Sequence, residues 1–284
     1  MDITCLLAAI LFFVANLLQI IYYGLERTRE DLAFTASALD PEAIESEWNW
    51  RIDHKPQFLA AGILNGLAWF FFAFPMMQLA WVLSQRGSKS LWLHVAIALL
   101  VLAGSLTEWI SRFMYIGSSM ATELLVTQFD LDNWAYPDDG VGWRTLEVIH
   151  TVTTGLVAFV DAFEWIALFF ILMFVHISVR RWRVYDISTF GACWNVLGLF
   201  ISLLSLCDFV AEILRVSDGS MVYADIAFWY SGANRLVLMP VWLLMLGCQL
   251  PAAAAKSMET AQHRAVGGPL VENRGTLAPT SQLT

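Results

Sequence analysis

The sequence predicts an all-α integral membrane protein: a bundle of six transmembrane helices followed by a disordered C-terminal tail. Three observations predict it. Of 284 residues, 58% are hydrophobic and 14% charged, with a mean hydropathy of +0.61. A soluble domain carries about 25% charged residues, and so few charges cannot clothe a water-facing surface. Six apolar runs each reach the roughly 20 residues that a helix needs to cross the hydrocarbon core. Finally, the loops between the runs alternate in character, long and acidic against short and basic.

The spans fall at about residues 4–24, 58–83, 91–117, 148–177, 191–215 and 225–250. They form one transmembrane domain over 1–250, leaving 251–284 as a polar tail. The first run has no basic segment before it and no small-residue cleavage site after it, so it reads as a retained helix rather than a signal peptide. The second carries Gly62 and Gly66 in GxxxG spacing, which allows close helix approach, and Pro75, which removes a helical hydrogen bond. Pro240 does the same in the sixth. The tail is rich in Gly, Pro, Ser and Thr, with a short helix expected over 252–264. A second short helix, interfacial, is expected in the third loop around 121–129.

The first loop holds Glu26, Glu30, Asp31, Asp40, Glu42, Glu45, Glu47 and Asp53, and the third holds Glu123, Asp130, Asp132, Asp138, Asp139 and Glu147. Arg86 and Lys89 mark the second loop; Arg180, Arg181 and Arg183 mark the fourth. The density of Lys and Arg per loop residue places both termini on the cytoplasmic side. Trp81, Trp92, Trp182 and Trp194 bracket the basic loops as interfacial anchors, whereas Trp69, Trp109 and Trp165 fall deeper and read as packing residues.

Ionisable groups inside the spans are costly in lipid and so face protein or water. The third span carries Glu108 and Arg112, the fourth Asp161 and Glu164, the fifth Asp208, and the sixth Asn234 and Arg235. Counted from the basic-loop side at about 1.5 Å per residue, Glu108, Asp161, Glu164, Asp208 and Arg235 lie at depths of roughly 20–25 Å. Gln19 and Asn65 join the same layer at roughly 22 and 27 Å. All six spans thus contribute a polar group to one level. The spacing of Glu108 and Arg112 suits an intrahelical ion pair, and Asp161 and Glu164 share a helix face. With Arg235 and Arg112 as counter-charges, two of the four carboxylates remain unbalanced, an excess that a proton or a bound cation would relieve.

A proton- or cation-linked transporter or channel-like protein follows as the first functional expectation. Asp161 and Glu164 are its central pair, Asp208 and Glu108 shape the field, and Arg235 supplies the counter-charge. The alternative is a scaffold, assembly or receptor-like protein in which the charged layer is structural. An intramembrane enzyme is disfavoured because no nucleophile, metal set or cofactor motif accompanies the carboxylates. No cofactor and no metal site are expected, since the five histidines do not gather at one depth and no HExxH occurs. Cys5, Cys193, Cys207 and Cys248 all lie in apolar runs and read as packing residues, not a disulfide framework. A net charge of −9 makes nucleic acid an improbable partner. The expected partners are the lipid bilayer and a small cation or proton.

Overall fold

The computed structural model of the chain describes residues 1–24, 53–85, 91–128, 141–183, 190–218 and 221–265. Most of both acidic loops, the second loop and residues 266–284 lie outside the described residues, as do the expectations made for them. The described residues are helical almost throughout: α1 (Ile3–Gly24), α2 (Lys55–Ser84), α3 (Leu91–Gln128), α4 (Val141–Arg183), α5 (Ala192–Asp218), α6 (Met221–Ala233), a π-helical turn (Asn234–Leu238) and α7 (Met239–Ala265). Six helical stretches are long and apolar enough to cross a membrane, the last running through α6, the π turn and α7 as one rod.

Local chemistry explains how several of these helices begin and bend. Asp2 caps α1, its Oδ1 accepting from the backbone N–H groups of Thr4 at 2.9 Å and Cys5 at 3.1 Å. Pro56 lies in the first turn of α2, where a missing N–H costs nothing. Pro75 sits buried inside α2, and the helix continues through it. Around Pro240 the helix widens instead. The Met239 N–H bonds to Asn234 O, five residues back, so the turn ahead of the proline ring becomes a π turn.

Three helices run past the apolar stretches they contain, which fall at Trp92–Ala121, Thr151–Arg180 and Val222–Glu259. The helix of the third span does not end with its apolar stretch: α3 continues to Gln128, so residues 121–128 finish that helix and form no separate interfacial one. Likewise α4 begins at Val141 rather than near residue 148. At the C-terminal end the helix expected over 252–264 is present, but it is continuous with the last span: α7 runs through Pro251 to Ala265, so these residues are not part of a disordered tail. Apolar windows mark where a helix meets lipid, whereas backbone hydrogen bonding carries the helix on into polar sequence.

The helices form a ring. Each packs on its neighbour in chain order from α1 to α6, and α7 returns to α1, α2 and α5. The Asp2 N–H donates to Gly247 O at 2.8 Å, tying the start of the first span to the end of the last. Small residues permit the closest approaches. A Cβ on Gly66 would lie 3.3 Å from the Trp109 indole, one on Gly62 would lie 3.0 Å from Ile116 Cδ1, and one on Gly198 would lie 2.7 Å from Trp242 Nε1. The GxxxG of α2 is therefore spent on α3 inside the chain. Two hydroxyls bridge neighbouring helices, Ser105 to the Trp69 carbonyl at 3.0 Å and Ser202 to the Phe169 carbonyl at 2.9 Å.

The core is aromatic. Phe12, Trp69 and Phe72 meet edge to face, and Phe190, Trp194 and Trp242 stack in series, with Trp194 and Trp242 centroids 5.0 Å apart. Trp194, expected as an interfacial anchor, is fully buried in that stack. Trp81 and Trp92 are exposed, and Trp69 and Trp165 are buried as expected. Of the cysteines only Cys5 is buried; Cys193, Cys207 and Cys248 are exposed, against the packing role expected for them. The outer surface is itself apolar: Leu99, Leu102, Leu106, Ile110 and Phe113 form an exposed stripe along α3, and Val196, Phe200, Leu203 and Val210 one along α5.

Candidate functional site

The charged layer is built where α3 and α4 lie side by side. On α3, Glu108, Ser111 and Arg112 sit three and four residues apart and so share a face. On α4, Asp161 and Glu164 project together for the same reason. One oxygen each from Glu108, Asp161 and Glu164 comes within 4.8 Å of the others. Glu108 and Glu164 are completely buried, whereas Asp161 is only partly buried.

Each carboxylate has a distinct partner. Glu108 Oε1 accepts from Arg112 Nε at 2.7 Å and from Asn65 Nδ2 of α2 at 2.6 Å. Glu164 Oε1 accepts from an Arg235 guanidinium nitrogen at 2.6 Å, across from the π turn. That guanidinium also lies over the Trp165 ring, 4.4 Å from its centroid, so a cation–π contact holds it from the other side. Asp161 Oδ1 accepts from Ser111 Oγ at 2.7 Å, a neutral donor. Asp208 is fully buried on α5 and is not one of the three; its Oδ2 accepts from Asn234 Nδ2 at 3.3 Å.

Of the residues that sequence placed at one depth, the structure joins Glu108, Asp161, Glu164, Arg112, Arg235 and Asn65 into one network. Among the described residues, Asp208 is joined to that network by hydrogen bonding only through Asn234, the neighbour of Arg235 in the π turn. Gln19 does not touch the carboxylates. It lines a cavity of about 20 Å³ beside Arg112, with Gly62, Tyr115 and Ile116, room for about one water. Ser111, Trp165 and Asn234 supply contacts that the sequence reading did not assign. Their signal was present in two cases: Ser111 shares the Glu108 face by spacing alone, and Asn234 stands beside Arg235 in the sixth span. Nearer the helix end, Glu212 and Arg215 pair at 2.6 Å on the face of α5 that also carries Ser205 and Asp208. Among the described residues His94 and His176 are buried but join no group of three or more acidic, His or Cys side chains.

The charges decide what this cluster can accept. Three carboxylates against two guanidinium groups leave one excess negative charge. A divalent ion would overcompensate it and would have to displace an arginine from Glu108 or Glu164. A single positive charge, proton or monovalent cation, balances it. Oε2 of both Glu108 and Glu164 is buried without an N–H or O–H donor, and the two carboxyls lie within hydrogen-bonding reach of each other, an arrangement that a shared proton would satisfy. No family model, no curated protein and no solved structure matches the chain.

Proposed function

We propose that the chain is a multi-pass integral membrane protein with both termini on the cytoplasmic side, whose carboxylate cluster exchanges a proton or small monovalent cation during transport. The lipid location is supported by the apolar stripes on the outside of α3 and α5, which in water would form patches far larger than a soluble monomer exposes. The tie between Asp2 and Gly247 supports an even number of crossings. The single observation that carries the exchange reading is the meeting of Glu108, Asp161 and Glu164 within 4.8 Å, with Arg112 and Arg235 the only cations paired to them among the described residues. The exchange is assigned to Asp161, whose hydrogen-bond partner Ser111 carries no charge, while Glu108 and Glu164 each hold an arginine. Arg235 is the counter-charge whose hold on Glu164 would respond to that titration.

The test is reconstitution into proteoliposomes under a pH or cation gradient. Parent protein should dissipate the gradient, and Asp161→Asn should abolish the flux. No flux in the parent, or equal flux in both, sinks the reading.

A second reading has its own observation. Both arginines are closed on a carboxylate at 2.6–2.7 Å, as a scaffold, assembly or receptor-like protein would need for helix register alone. It predicts that Asp161→Asn lowers thermal stability in a protein that moves nothing.

A further inference from the structure

Asp208 poses a problem that the carboxylate cluster does not. It is completely buried, and among the described residues it forms no ion pair. The charged groups near it are Arg235 in the π turn and Glu212 one turn further along α5. Arg235 is closed on Glu164, and Glu212 on Arg215. An ionised, unpaired carboxylate at this depth would be among the most expensive groups in the fold.

The hydrogen bonds point to the remedy. Asn234 Nδ2 donates to Asp208 Oδ2, and the other two terminal atoms, Asp208 Oδ1 and Asn234 Oδ1, are both buried without a partner. Two acceptors left over in one contact cannot bond to each other. A carboxylic acid and a primary amide, however, are complementary: the acid O–H donates to the amide oxygen while the amide N–H donates to the acid's other oxygen. A single proton on Asp208 Oδ1 turns the two orphans into donor and acceptor and closes the second arm. The pair between Asn65 and Glu108 leaves the same two oxygens unpartnered, but there Arg112 already neutralises the acid. A metal cation fits Asp208 poorly. Only two oxygens are on offer where hard ions take six or more, and one face of the carboxylate is already covered by an amide N–H.

We infer that Asp208 and Asn234 form a resident proton site, in which Asp208 is a neutral acid held by a two-armed hydrogen bond to the amide. Asn234 and Arg235 are consecutive in the π turn, so the occupancy of this site is mechanically joined to the Arg235 contact with Glu164. The site goes beyond the exchange reading and stands whether or not the chain transports anything.

Infrared difference spectroscopy of the full chain in lipid nanodiscs at neutral pH tests it. The parent should show the carbonyl stretch of a protonated carboxyl, shifted in D₂O, and Asp208→Asn should remove one component of it. Asn234→Ala should keep that component and move it to higher frequency, since the acid carbonyl loses its donor. Exchanging the two side chains, Asp208→Asn with Asn234→Asp, should restore a hydrogen-bonded acid, and this double variant serves if the single one does not fold. Asn65→Ala should leave the component in place. A parent spectrum without a protonated carboxyl, or one unchanged by Asp208→Asn, overturns the assignment. So does a component that neither Asn234→Ala nor the exchange of side chains alters. Flux is not the readout, so failure of the transport reading would leave this result standing.

Discussion

The Arg235 guanidinium meets the Glu164 carboxylate at 2.6 Å across 71 residues of sequence, with both side chains almost wholly excluded from the surface. Removing one partner of such a pair leaves the other charge stranded, at a cost of about 3–5 kcal/mol. Arg235→Met should therefore lower the unfolding midpoint of the purified protein sharply. Combining it with Glu164→Gln should recover most of the loss, because the stranded charge is gone. Additive losses in the double variant would show that the two residues act separately.

Helix contact at glycine is the second test. A Cβ at Gly198 would press on the rigid Trp242 indole at 2.7 Å, whereas one at Gly104 would have nothing nearer than 3.7 Å. Gly198→Ala should cost about 1–3 kcal/mol as overpacking. Gly104→Ala should be neutral or slightly stabilising, since alanine favours the helix. Denaturation in detergent gives the order, and an equal response at the two sites would contradict this packing.

The two hydroxyl bridges between helices should matter little. Ser105→Ala and Ser202→Ala each remove one bond to a carbonyl that keeps its own helical partner, and such bonds contribute about 0.6 kcal/mol in membrane bundles. A loss of several kcal/mol at either site would mean that the hydroxyl serves something beyond its carbonyl.

Epitope tags placed at Met1 and after Thr284 should be accessible from the same face in sealed, oriented vesicles. The bond from Asp2 to Gly247 puts the start of the first span beside the end of the last. Tags on opposite faces would require an odd number of crossings.

Most of the architecture was legible because lipid crossing imposes a length on apolar runs. Depth along the spans was legible too, and it placed Glu108, Asp161 and Glu164 together. What depth cannot encode is rotation about each helix axis. Asp208 shares their level but turns toward Asn234, and Gln19 shares it but turns toward the Arg112 cavity. Trp194 was misjudged for the same reason: it sits at the right height for an interface but faces inward, between Phe190 and Trp242. The π turn follows from Pro240 only once the chain is seen to stay helical through it.

The clasp between α1 and α7 has a consequence for biogenesis. A ring of helices whose first and last members share a seam exists only as an open arc while the ribosome is still at work. The face of α1 that carries Cys5 has no partner until α7 arrives with Gly247, which sits against it. Chains that stop before that point would leave α1 without α7 beside it.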